Sequence, residues 1–147
     1  MTLSADAQQV LDAWDSKDLG RLASVLAEDY ILYGGAMPLS KQDVLALMGA
    51  YFTALPDFSF NFTDAWEDGN VIGVTTNITG THTGTLDLTP VGIPVTLAPT
   101  DIAIHLPPQP SEAALEGGQM VHHQLAEVAG AGLPGILAQL GVELPGG

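Results

Sequence analysis

FSFNFTDAWEDGNVIGVTTNITGTHTG, residues 58–84, decides the fold class. Before it, apolar residues recur at helical spacing; from Phe58 onward they recur at every second position. Phe58, Phe60, Phe62 and Trp66 then share one face of an extended segment, with Ser59, Asn61 and Thr63 on the other. EDGN is a turn, and VIGVTTNITGTH is a second long strand, so the two form a hairpin.

Working outward, the chain upstream reads as helical. SADAQQVLDAW has Ser4 as N-cap and places Leu3, Ala7, Val10, Leu11 and Trp14 at helical spacing. A second helix follows Asp18, with Leu19, Leu22, Ala23 and Leu26 on one face. Tyr30–Tyr33 favour a short strand, which Gly34-Gly35 break. Ser40 and Asp43 form a capping-box pattern before a third helix, whose apolar face is Val44, Leu47, Met48, Tyr51 and Leu55 and which Pro56 stops.

Downstream, further strands are expected near PVTLAPTDIAIHL and QMVHHQLAEV, separated by a long exposed loop, PPQPSEAALEGG, residues 107–118. The tail holds one short apolar turn around Ile136, Leu137 and Leu140. Helices first and antiparallel strands afterwards predict an α+β class. Three N-terminal helices would pack on a strongly curved, mainly antiparallel sheet, a cone with an internal pocket, within one domain spanning 1–147.

The chain has 147 residues, 17 acidic against three basic, Lys17, Arg21 and Lys41, and a formal net charge of -14. Nucleic-acid binding needs clustered cations, and so do anionic membrane surfaces; neither partner is expected. The expected ligand is a small apolar or weakly polar molecule. Cysteine is absent, which excludes disulfides and thiolate chemistry. The N-terminus lacks the basic and apolar regions of a signal peptide, and a cytoplasmic location is expected. No Ser-centred elbow, dinucleotide fingerprint or phosphate loop occurs.

Four histidines, His82, His105, His122 and His123, carry the prospect of proton transfer near neutral pH. Their spacing matches no standard metal motif, and no metal or cofactor is expected. His122 and His123 must face opposite sides of a regular strand. Asp101 alternates with Ile102 and Ile104, so an Asp101–His105 pairing on one face is expected; Glu127 would share a face with His123 as a buried acid. Trp14, Tyr30, Tyr33, Tyr51, Trp66 and Asn77 are the residues expected to shape a pocket.

Several segments, in order, resemble the SnoaL-like polyketide cyclase family of the nuclear transport factor two-like superfamily. They are LPDFSFNFTDAWEDGNVIGVTTNITGTHTG, VGIPVT, PTDIAIH and AQLG. The resemblance implies a cone-shaped α+β fold, with His82 at the end of a central strand near the pocket or its rim. It also implies cofactor-free aldol closure driven by acid/base proton transfer on a polyketide-like substrate. The family's last strand carries a histidine, a tryptophan and, four residues after the tryptophan, an acid/base aspartate. In VHHQLAEV, His123 fits the histidine, Gln124 replaces the tryptophan, and the aspartate's place falls on Val128, with Glu127 one residue away. His82, His123 and Glu127 are therefore the acid/base candidates, with Asp101 and His105 in support. The alternatives are a non-catalytic ligand-binding or homodimeric module, pairing through a sheet face with Thr75, Asn77 and Thr79, and a hydrolase holding water on Asn77 and Asp101.

Overall fold

The structure is a computed structural model that describes residues 3–34 and 38–142. Met1, Thr2, the second glycine of the Gly34-Gly35 strand stop and the end of the tail from Glu143 lie outside the described residues.

The helical reading of the N-terminal third holds, with one boundary moved. Helix α1, Ala5–Asp15, buries Ala7, Val10, Leu11, Ala13 and Trp14, and the Ser4 hydroxyl caps it by accepting from the Ala7 N–H. Helix α2, Leu19–Ser24, is capped by the Asp18 carboxylate. Helix α3, Lys41–Ala54, opens with the full Ser40–Asp43 capping box. Leu26, expected on α2, instead opens strand β1, Leu26–Tyr33, where its backbone pairs with Met120. A six-residue helix has little stability of its own, so pairing to the sheet decides where it ends.

Six strands form the main sheet in the order β2-β1-β10-β9-β4-β3. Here β2 is Leu39–Ser40, β3 Thr63–Asp68, β4 Val71–Thr76, β9 Gln109–Glu116 and β10 Gln119–Leu125. All neighbours are antiparallel except β1 and β10. Two small sheets lie apart from it: β5, Thr79–Thr81, with β8, Ala103–His105, and β6, Leu86–Asp87, with β7, Thr96–Leu97. A fourth helix, α4, Gly132–Gln139, follows β10, where only an apolar turn was expected. No helix among the described residues is long and apolar enough to cross a membrane.

The main correction concerns residues 107–118. Instead of an exposed loop, most of this segment is β9, hydrogen-bonded between β4 and β10. Gln109, Ser111 and Ala113 are buried while Pro110, Glu112 and Glu116 are exposed, a period-two pattern hidden among residues of low strand propensity. Gly117 and Gly118, both with positive φ, turn the chain into β10.

The long strand expected over residues 71–82 is two strands in two sheets. It bends at Asn77, where two asparagines clasp each other: Asn77 Nδ2 donates to the Asn61 carbonyl at 2.9 Å, and Asn61 Nδ2 donates to the Asn77 carbonyl at 2.8 Å. Thr75 and Thr79 therefore do not share one sheet face with Asn77. The preceding strand also starts late. Phe58–Phe62 keep their inward aromatic strip, with Phe58–Phe60 centroids 4.8 Å apart and Phe60–Phe62 stacked at 5.2 Å, but β3 begins at Thr63. A register shift between Thr63 and Trp66, with Asp64 at φ 55, turns Trp66 to the opposite face, where its ring covers Gly73.

Candidate functional site

Strand alternation aims Ile72, Ser111, Ala113 and His123 at the helices. Between them and α1 lies a cavity of about 100 Å³. Its walls are mostly apolar: Val10, Leu11 and Trp14 from α1, Met48 from α3, Phe60 and Phe62 from the aromatic strip, and Met120 and Leu125 from β10. His123, Ser111 and Thr76 supply the polar groups on its inward walls. Glu112 touches it, but belongs to the exposed, outward set of β9.

His123 is 9% exposed and its Nδ1 lies 2.7 Å from the Tyr30 hydroxyl. Its ring meets Trp14 edge-on, centroids 5.7 Å apart. Burial pulls the imidazole down to about 4, and His122 next to it adds to the effect, so the ring is neutral at pH 7. Tyr30 is fully buried, and burial pushes its phenol upward, so it keeps its proton. Among the described residues that proton has one partner, His123 Nδ1. A buried O–H left without an acceptor would cost about 1–3 kcal/mol, so Tyr30 donates. Nδ1 is then the acceptor and the imidazole proton is assigned to Nε2. The pair turns His123 into a neutral N–H donor fixed in an apolar cavity. Trp14 offers nothing comparable, because its indole N–H donates to Met120 Sδ at 3.1 Å.

The other expected site residues lie elsewhere. His82 is fully buried but does not line the cavity. Its backbone N–H donates to the Ile102 carbonyl, and its carbonyl accepts from the Thr100 and Asp101 N–H groups. Its Nδ1 lies 2.9 Å from Thr100 Oγ1, and Nε2 has no partner among the described residues. Burial lowers its basicity, partly opposed by the Asp101 carboxylate. In the GTHTG stretch, then, the histidine pins the turn at residues 100–102. Its neighbour Thr81 is held by Asp57, whose carboxylate accepts from the Thr81 N–H at 2.7 Å and its hydroxyl at 2.9 Å.

Asp101 does not pair with His105. Its φ of 61 ends the strand pattern before β8, and both residues are exposed. The His105 backbone is instead clasped by Gln139 of the AQLG segment, which accepts from its N–H at 3.0 Å and donates to its carbonyl at 2.8 Å. Glu127 is exposed and follows the end of β10, so strand alternation with His123 no longer governs it. Tyr33 packs against His122 on the outward face, Tyr51 stacks on Phe58 in the core, and Asn77 is held in its clasp. Of the expected pocket residues, Trp14 lines the cavity and Tyr30 orients the histidine that does. Ser111 and Thr76 were missed; period-two reading of QPSEA would have placed Ser111 inward. No group of three or more His, Asp or Glu among the described residues could hold a metal ion.

Known structures resemble this arrangement over nearly its full length. AclR of Streptomyces galilaeus, described as a candidate hydroxylase, aligns with a TM-score of 0.70 at 20% identity, covering 93% of each chain. IdmH of Streptomyces antibioticus, described as a candidate polyketide cyclase, aligns at 0.65 and 20% identity, over 93% of this chain and 96% of its own. TsrD of Streptomyces laurentii aligns at 0.69 and 17% identity, over 97% and 100%. At such identities the likeness establishes the fold alone. No curated protein matches the chain in sequence. The family model of the SnoaL-like domain, however, matches residues 7–123, from the first buried turn of α1 to the cavity histidine, and the chain belongs to that family.

Proposed function

We propose that this protein binds a small neutral carbonyl compound in the cavity, with His123 Nε2–H donating to the carbonyl oxygen. The observation that carries the reading is the 2.7 Å Tyr30–His123 bond, which fixes a neutral donor inside an apolar wall. A donor aimed at a carbonyl stabilises the negative charge that builds on oxygen as an enolate or aldolate forms, which is the demand of cyclase- and isomerase-type chemistry. The likeness to a candidate polyketide cyclase supports that direction. None of the three cationic side chains lines the cavity, so carboxylate ligands find no counter-charge. At about 100 Å³ the cavity suits a single ring; Met48 and Met120 are unbranched and give way to a larger one.

One specific observation favours a second reading, binding without turnover. Among the described residues, no carboxylate is aimed inward beside His123 to take a proton from carbon. The two readings share one test. Acetophenone should bind with its C=O stretch lowered in the infrared. His123→Phe should keep the ring bound and restore the free frequency. Failure to bind, or binding with an unshifted stretch, overturns the carbonyl reading. Deuterium uptake into the methyl group of bound acetophenone separates enolising activity from binding alone. Where a single oxyanion donor does the work, its loss costs roughly 10²–10³ in kcat.

The proposal includes a homodimer through the outward sheet face, where Tyr33 and His122 pack with centroids 4.8 Å apart and Trp66 covers Gly73. Light scattering that returns the monomer mass at micromolar concentration overturns it.

A further inference from the structure

Ser111 sits on the inward face of β9, two residues from Ala113, which stands directly opposite His123 in the ladder. Ser111 and His123 are therefore diagonal neighbours, about 7–8 Å apart. Both line the cavity, and Ser111 is 7% exposed. Its hydroxyl donates to the Val74 carbonyl at 3.0 Å. A hydroxyl has one proton and two lone pairs. With the proton committed to Val74, Ser111 Oγ faces the cavity as an acceptor. His123 presents the reverse, since Tyr30 occupies its acceptor nitrogen. Thr76 repeats the serine arrangement more weakly, donating to the Gln109 carbonyl at 3.4 Å.

The cavity thus carries a donor on one strand and an acceptor on the next, with apolar surface around both. We infer that Ser111 is a specificity-determining residue, selecting neutral ligands that carry a hydroxyl donor about one ring's width from the carbonyl, the class of hydroxyaryl ketones. This rests on the reading of His123 as the carbonyl donor and adds a second contact to it. The physical argument sets a sign. A ligand hydroxyl placed in an apolar cavity without an acceptor is bound worse than the bare ring, because it leaves water unpaired. With Ser111 Oγ to receive it, the same hydroxyl tightens binding about three- to tenfold.

The test compares acetophenone, 3- and 4-hydroxyacetophenone and their methoxy ethers by calorimetry on the full chain. One hydroxy isomer should bind about three- to tenfold tighter than acetophenone, and its ether weaker. In Ser111→Ala the order should invert, acetophenone now binding more tightly than either hydroxy isomer, and a C=O stretch that is still lowered reports an intact fold. Ser111→Cys, nearly the size of serine but a poor acceptor, should lose the preference as well and serves if the alanine variant does not fold. If acetophenone binds with a shifted stretch but no hydroxy isomer binds more tightly, or if the preference survives both substitutions, the role of Ser111 is overturned and the carbonyl reading stands. If acetophenone does not bind, both fall together.

Discussion

Acidification should destabilise this protein through His123 by an amount that the structure sets. In the unfolded chain the imidazole takes its proton near pH 6.5; in the folded protein, wedged between Tyr30 and Trp14, it holds out to about pH 4. Between those values the unfolded state binds a proton that the folded state refuses. Stability is therefore fully present above pH 6.5 and is lost as pH falls, at about 1.4 kcal/mol per pH unit, until the folded form also protonates near pH 4. The total is about 3 kcal/mol, a large part of the stability of a domain this size. The assay is urea unfolding of wild type and His123→Gln at pH values from 7 to 4. Glutamine cannot titrate in this range, yet its amide oxygen can accept from Tyr30. The stability difference between the two proteins should change by about 3 kcal/mol across the range, to the disadvantage of wild type at low pH. Groups that do not touch residue 123 are common to both proteins, so their contributions cancel. A difference constant to within about 0.5 kcal/mol would refute the reasoning, and with it the neutral, Tyr30-oriented imidazole.

Asp57→Asn should lower the melting temperature at pH 7, because the carboxylate's bonds to Thr81 hold it below the usual range; that contribution exists above the unfolded value and is lost as pH falls, so the penalty should shrink on approach to pH 3. Gly73→Ala should cost about 1–3 kcal/mol and shift tryptophan emission, since the new methyl would overlap the Trp66 ring; pairing it with Trp66→Ala should recover most of the loss of fit. Gln139→Ala should leave the His105 amide without its partner and speed its hydrogen exchange, while amides in β9, held on both sides, stay protected. Unchanged exchange at His105 would mean that α4 does not guard the edge of β8.

The elements readable in the chain were those whose signals are local. Ser4, Asp18 and the Ser40–Asp43 box cap their helices through side chains within three residues, so short-range chemistry sufficed. The FSFNF alternation likewise placed three phenylalanines inward, and the order of elements led to the α+β class. Register was not readable. The left-handed residues Asp64 and Asp101 each break an alternation that the letters continue, turning Trp66 outward and separating Asp101 from His105. The strand β9 was missed because alanine, serine and glutamate do not announce a strand; they form one when β4 and β10 saturate their backbone on both sides.

The candidate site divides along the same line. By itself the sequence determined that only three cationic side chains are available to any ligand, that His82, His123 and Glu127 are the acid/base candidates, and that His122 and His123 face opposite sides of a regular strand. Which histidine faces the cavity, and in what state, was a tertiary decision. Tyr30 and His123 are 93 residues apart and meet only because β1 lies parallel to β10. That pairing sets the imidazole's tautomer, and the apolar walls around it set its charge. Both are properties of the surroundings, and no residue carries its surroundings in its letter.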